Sequence, residues 1–186
     1  MIIKYSRDIK ENIIQDLIDI ESKVYEEKYR GEYQSIKARY QKNNDTFVLA
    51  YDKERMIGYL CFIPISNILY NDLIGTNNFH DDDIKPEDIT QYYDNVNLYI
   101  ISIAILPSYQ DTEVIREMTK AFFIFLKEKR EQNICINNIL ASAVTVDGTK
   151  YLEKLRFKKV KKVKGEYTLF KLNYKEEWRN YENYTR

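Results

Sequence analysis

The sequence predicts an α/β fold of the α+β kind, a mixed sheet with helices on its faces. Two observations carry that expectation. Short runs rich in β-branched and aromatic residues alternate with segments of helical periodicity. The resulting order, βα(α)ββ–β–α–β–α–ββ, contains both hairpins and helix-crossed strands. A third observation bounds the answer: no repeat, low-complexity linker or Pro/Gly-rich hinge divides the 186 residues, which hold 5 Gly and 3 Pro. That length suits one domain. Residues 1–174 read as that domain, with an acidic inserted loop at 76–95, and 175–186 as a charged, aromatic tail that includes Trp178.

In chain order, Ile2–Tyr5 is short and extended. Asp8 precedes Glu11 by three residues, the spacing of a capping box. Ile9, Ile13, Ile14, Leu17, Ile18 and Val24 then recur at helical spacing. Tyr33–Gln41 reads as a shorter helix. The runs at 46–51 (TFVLAY) and 56–65 (MIGYLCFIPI) form a hairpin about the polar turn 52–55, with Pro64 marking a bend or the end of pairing. Residues 67–95 carry no periodic signal of this kind. From 76 to 95, Asp81, Asp82, Asp83, Glu87, Asp88 and Asp94 face Lys85 alone, a formal charge of −5. The dense run at 97–106 (NLYIISIAIL) has the pattern of a strand covered on both faces and stops at Pro107. A helix follows over about 112–130, then a buried strand over 134–145 and a short helix over 148–156. Strands at 158–164 and 167–172 close the fold, hinged at Gly165–Glu166. If the first of these is regular, Lys159 and Lys161 share one face and Lys158, Lys162 and Lys164 the other.

Composition excludes several function classes. With 29 basic and 29 acidic side chains there is no global charge for nucleic acid to exploit. The lysine run at 158–164 reads better as an edge strand protected from aggregation. Cys61 and Cys135 lie inside apolar runs and are too few for a disulfide scaffold, which predicts reduced thiols and a cytoplasmic setting. No apolar stretch approaches the roughly 20 residues needed to span a bilayer, so a membrane partner is not expected. His80, the one histidine, stands in the acidic stretch without the flanks of a nucleophile site. The neighbouring aspartates lack the ligand spacing and turn glycine of a calcium loop, so no metal is expected. The 17 tyrosines and abundant Asn, Ile and Lys are as consistent with nucleotide bias as with function.

Two local signals carry a resemblance. Ile105, Pro107, Tyr109 and Gln110 match an apolar-x-Pro-x-Tyr-Arg/Gln segment that ends a strand before an amphipathic helix. Lys154-Leu155-Arg156-Phe157, followed by the strand from Lys158, matches a late helix ending in Gly-Phe, with Arg156 in the glycine's place. From about Ile2 to Tyr174 the chain resembles the GCN5-related N-acetyltransferase (GNAT) family. The resemblance implies a mixed, largely antiparallel central sheet of about six to seven strands with helices on both faces. It implies acetyl-CoA as cosubstrate and transfer of its acetyl group to an amine, on a small molecule or a protein, and leaves a homodimer open.

It also assigns roles. Backbone groups of Ile103 and Ile105 would pair with the pantetheine arm. Gln110, Asp111, Thr112, Glu113, Val114 and Ile115 would cradle the pyrophosphate, since a helix N-terminus offers unpaired N–H groups and partial positive charge. The family turn is Gly-rich where Asp111, Glu113 and Ile115 stand here, and those side chains crowd the cradle. Asp111 also suits a helix N-cap. A like-charge contact at ~4 Å costs about 1 kcal/mol in water and about 4 kcal/mol at a protein-surface dielectric; Arg116 or Lys120 would offset part of it. The family's thiolate-protonating tyrosine aligns with Leu152, one residue after Tyr151, which makes Tyr151 the candidate general acid with its side chain turned by ~100°. Asp81, Asp82 and Asp83 are candidates to concentrate a cationic substrate. No residue stands out as a general base. The alternative reading is a catalytically inert GNAT-like binding or regulatory module, favoured by the missing glycines, Arg156 and the displaced tyrosine.

Overall fold

The computed structural model describes residues 1–76, 83–163 and 167–185. Seven strands form one sheet: β1 (Ile2–Tyr5), β2 (Phe47–Asp52), β3 (Arg55–Ile65), β4 (Asn95–Ile105), β5 (Cys135–Ala143), β6 (Lys158–Val163) and β7 (Tyr167–Leu172). Their order is β1-β2-β3-β4-β5-β7-β6, antiparallel throughout except for the parallel pair β4–β5. The helices are α1 (Ile14–Val24), α2 (Tyr33–Lys42), α3 (Asn67–Gly75), α4 (Val114–Glu131), α5 (Val146–Lys154) and the single turn α6 (Tyr174–Glu177). The parallel pair needs a crossover, and α4 supplies it.

Alternation along β3 shows that helices cover both faces. Tyr59 points to α1, where its hydroxyl meets Glu21, whereas Phe62, three residues on, packs its ring 4.9 Å from both Phe122 and Phe125 of α4. The apolar stripe of α4 is the one its spacing predicts, with Val114, Met118, Phe122, Phe125 and Leu126 all buried. A second cluster joins Ile63 and Ile65 to Leu69 and Leu73 of α3 and to Ile84 and Ile89.

Several expectations need correction. Asp8 caps no helix: it ends a 3-10 turn, Ser6–Asp8. Buried Ser6 donates to Asn44 O and accepts from the N–H of Thr46 and Phe47. The chain is therefore tied to β2 there, and α1 begins only at Ile14, whose N–H is met by Asn12 Oδ1. Residues 67–75, unassigned from sequence, are helical because the Ser66 hydroxyl caps the N–H of Leu69, and Leu69 and Leu73 fall four apart on the buried face. Pairing runs one residue past Pro64, to Ile65–Asn97, while the Pro64 carbonyl accepts from Thr90 N. The lysine strand is not regular: a bulge between Lys159 and Lys161 breaks the alternation. Lys164 and the hinge at Gly165–Glu166 lie outside the described residues.

The strand β6 does form the sheet edge, as expected. Lys161 donates to the carbonyls of Ile74, at 2.9 Å, and Thr76, the last turn of α3. Lys159 pairs with Glu153 and Lys158 with Glu177. The tail folds back on the body. Tyr181 stacks on Phe123 of α4 with ring centroids 4.4 Å apart and donates to Leu155 O, and the Arg130 guanidinium lies over the Trp178 ring.

Candidate active site

A bulge opens the sheet at one place. Cys61 pairs with Ser102 and Phe62 with Ile100, so Ile101 is an extra residue on β4. A bulge bends its strand and increases local twist. Pairing of β4 with β5 ends at the same point, at Ile100–Ala141. Beyond it, Ile101, Ser102 and Ile103 are half-buried although the residues on either side are buried.

Backbone direction follows from alternation. The N–H of Leu106 reaches Ile57 O on β3, so Ile105 and Ile103 turn their N–H and C=O groups away from β3, toward the gap left by β5. Both carbonyls are already occupied. Ile103 O accepts from the Tyr25 hydroxyl at 2.6 Å, and Ile105 O from Gln110 Nε2 at 3.1 Å. Of the backbone contacts expected for a ligand in the gap, the two N–H groups are the ones these side chains leave.

The turn after β4 is a 3-10 turn, Pro107–Tyr109, whose Tyr109 hydroxyl is tied to Asp52 Oδ2 at 2.8 Å. That bond raises the Tyr109 pKa. Asp111 is not the N-cap of α4: Glu113 occupies that position without a side-chain cap, and the bond nearest to one runs from Val114 N to Thr112 Oγ1 at 3.4 Å. Asp111, Thr112 and Glu113 are exposed, and the Glu113 carboxylate pairs with Arg116 at 2.8 Å. The negative charge at the helix start is thus drawn back along α4 by a cation one turn later. Glu117 N is satisfied by Glu113 O. Between these bonds, Ile115 and Arg116 carry N–H groups that a first helical turn leaves without an intrahelical acceptor.

Tyr151 of α5 lies against α4. Its hydroxyl is 2.7 Å from Thr119 Oγ1, and Thr119 donates to Ile115 O at 2.5 Å. Since the one threonine proton goes to Ile115, Tyr151 is the donor of the pair. Burial raises its pKa, so it keeps its proton at neutral pH. The structure therefore links Tyr151 through one hydroxyl to the backbone of Ile115. Asp81 and Asp82, with His80, lie outside the described residues; Asp83 is exposed.

A hydrogen-bonded chain that no sequence pattern announces lies on the other face of the gap. Glu21, on the inner side of α1, is 8% exposed. Its Oε1 accepts from the Tyr59 hydroxyl at 2.6 Å and its Oε2 from Gly31 N at 2.8 Å. Tyr59 is 3.1 Å from Ser102 Oγ, which donates to the Tyr25 hydroxyl at 3.2 Å, and Tyr25 closes the chain on Ile103 O. A Cβ at Gly31 would meet the tip of the Ile36 side chain, Cδ1 at 2.9 Å, which would have to turn aside. Glu21, Tyr59 and Ser102 also line a cavity of about 30 Å³ with Arg39, Tyr40 and Cys61. The signal that could have found Glu21 is its place on the apolar stripe, four residues after Leu17 and seven after Ile14.

A larger hollow of about 510 Å³ at the other end of β4 is lined mainly by asparagine amides, among them Asn67, Asn97 and Asn138. Asn138 donates to Asn97 and Asn97 to Asn67. Side-chain amides do not ionise near neutral pH, so the gap, with its carboxylate and hydroxyls, is the better candidate for chemistry despite its smaller cavity.

No protein-family model matches the sequence, and no curated protein is similar to it in sequence. Solved structures are similar in fold. The loading GNATL domain of CurA from Lyngbya majuscula superposes with a TM-score of 0.67 at 13% identity, covering 94% of this chain and 98% of that one. The PaiA N-acetyltransferase from Thermoplasma acidophilum, solved in complex with coenzyme A, gives 0.55 at 16% identity, covering 94% and 100%. The GphF GNAT-like decarboxylase, in complex with isobutyryl-CoA, gives 0.58 at 10% identity, covering 83% and 71%. The seven-stranded sheet, its half-opened parallel pair and the crossover helix beside the gap are the GNAT fold.

Proposed function

We propose that this chain is an acyl-CoA-dependent N-acyltransferase that moves acetyl from acetyl-CoA to an amine. One observation carries the reading: the β4 edge that loses β5 after Ile100 leads through a single 3-10 turn into the N-terminus of the 18-residue helix α4. An extended arm bearing amides suits the first and a phosphate group the second. Coenzyme A carries both. The groups present fit it: the N–H groups of Ile103 and Ile105 for the arm, and residues 110–115 for the phosphates, with Glu113 held by Arg116. The bound thioester supplies the acetyl carbonyl that an amine attacks. This chain's residues position it; Tyr151 gives the departing thiolate the proton it otherwise shares with Thr119 and regains one from the attacking nitrogen. The acidic stretch around Asp83 draws a cationic acceptor toward the gap.

Calorimetry with acetyl-CoA, followed by thiol release across a panel of amines, tests the reading. Binding with turnover supports it. Binding without turnover favours an inert module, for which the observation is the pair of acidic side chains at the start of α4. Absence of binding removes both readings.

A further inference from the structure

At the start of β4 the layer beneath α3 changes character. Tyr99 and Leu140 join the apolar cluster under α3, but two residues earlier on each strand the same face carries Asn97 and Asn138. Asn97 is 3% exposed, a polar side chain in a core position, and it is bonded on both sides. Asn138 Nδ2 donates to Asn97 Oδ1 and Asn97 Nδ2 to Asn67 Oδ1, each at 2.9 Å. The β4–β5 ladder bulges here. Val96 pairs with Ile136 and Leu98 with Ile139, so Asn137 and Asn138 both stand opposite Asn97, and both line the hollow of about 510 Å³. From α3, Asn67, Tyr70 and Asn71 line it, at the i, i+3, i+4 spacing of one helix face. Nucleotide bias raises the number of asparagines; it does not gather them from a helix, two strands and a bulge around one hollow.

The ladder is unfinished at both ends. Asn138 Oδ1 and the amino group of Asn67 have no partner among the described residues, and both residues belong to the lining. An occupant must therefore donate at one end and accept at the other. Turning all three amides over exchanges the ends and keeps the requirement. The occupant is uncharged: among the described residues no acid lines the hollow to hold a cation, and an anion would have one exposed lysine, Lys175, while still facing an amide oxygen. Neighbouring hydroxyls meet the requirement, since each both gives and takes a hydrogen bond. We propose that the hollow binds a neutral saccharide, one hydroxyl donating to Asn138 Oδ1 and another accepting from Asn67 Nδ2, with the C–H face of the sugar against Tyr70. Lys171 holds the tyrosine ring from one side, its Nζ 5.7 Å from the centroid. The volume lies in the range of small-molecule sites. The site binds without reacting, because side-chain amides supply neither acid nor base. It lies at the opposite end of β4 from the gap and stands whether or not the chain transfers acyl groups.

The test titrates the intact chain, isotopically labelled at asparagine, with glucose, ribose and maltose, and follows the side-chain amide resonances, with glycerol as control. At least one sugar should shift the Asn67, Asn97 and Asn138 resonances saturably, and glycerol at the same concentration should not. Asn67 is exposed and Asn138 half-buried, so truncating them spares the core. Asn67→Ala and Asn138→Ala should each weaken sugar binding by roughly tenfold. No shift with any sugar at tens of millimolar, equal shifts with glycerol, or an affinity unchanged in both variants overturns the proposal. So does a stronger response to tetraglycine than to any sugar, which would make the hollow a reader of peptide main chain.

Discussion

The hydroxyl of Tyr25, at the end of α1, donates to the carbonyl of Ile103 at 2.6 Å across 78 residues of sequence. It fills the place that β5 would have taken had the strands stayed paired, so the gap persists without an orphaned acceptor. Tyr25 is one of many tyrosines whose protons the fold retains. Burial also pushes Tyr59 and Tyr92 well up and raises Tyr5, Tyr51 and Tyr174 to about 12.

A pH dependence follows. A phenol with a folded-state pKa above its unfolded value of about 10 contributes stability that is complete below pH 10 and lost as pH rises through the folded value. Stability should therefore fall between pH 10 and about 12, with phenolate absorbance appearing together with unfolding. A urea midpoint unchanged from pH 9 to pH 11 would contradict this.

Glu113→Gly should tighten acetyl-CoA binding several-fold at low salt. It removes a negative charge from the start of α4, lets backbone approach the phosphates and leaves Arg116 with Glu117 as its remaining acidic partner. The gain should shrink with added salt, because exposed charges are screened within about 10 Å at 0.1 M. Weaker binding would place the phosphates elsewhere.

Tyr151→Phe should lower turnover by roughly 10²-fold while leaving the acetyl-CoA dissociation constant nearly unchanged. Loss of the bond to Thr119 should also cost about 1 kcal/mol of stability, measurable by denaturant titration. An unchanged rate with that same loss of stability would make Tyr151 a packing residue.

Arg156→Gly should stabilise the protein by about 1 kcal/mol. Arg156 has φ 64°, and the bonds Arg156 N to Glu153 O and Phe157 N to Leu152 O close a Schellman motif at the end of α5. The glycine of the resembled pattern is absent while the backbone that favours it is kept. A decrease in the thermal midpoint of the variant would mean that the arginine side chain contributes more than its backbone strain costs.

The strands and α4 were legible because their signals are local: β-branched density for β4, a 3.6-residue stripe for α4, a stop at Pro107. The gap itself was not. It depends on Ile101 being extra relative to β3, a register between strands about 40 residues apart, which neither strand reveals alone. The helix α3 hid in an acidic, irregular neighbourhood, although Ser66 and the pair Leu69–Leu73 marked it. Asp111 had the right chemistry for a cap, yet the 3-10 turn after Pro107 delayed the helix to Val114. Glu21 was the largest omission. One acid on an apolar stripe looks like an interruption until Tyr59, from β3, turns out to be its partner.

The strand order divides the sheet into two leaves. Strands β1 to β4 are joined antiparallel within residues 2–105, and β5, β7 and β6 within residues 135–172. Between the leaves the β4–β5 ladder has five register pairs and stops midway, so the seam is already torn along half its length. Amide hydrogen exchange should register each leaf as its own cooperative unit, with seam amides near Ile100 and Ala141 opening before either interior. The same tear would act as a crease, letting a wedge-shaped ligand spread the leaves without breaking a hydrogen bond inside them.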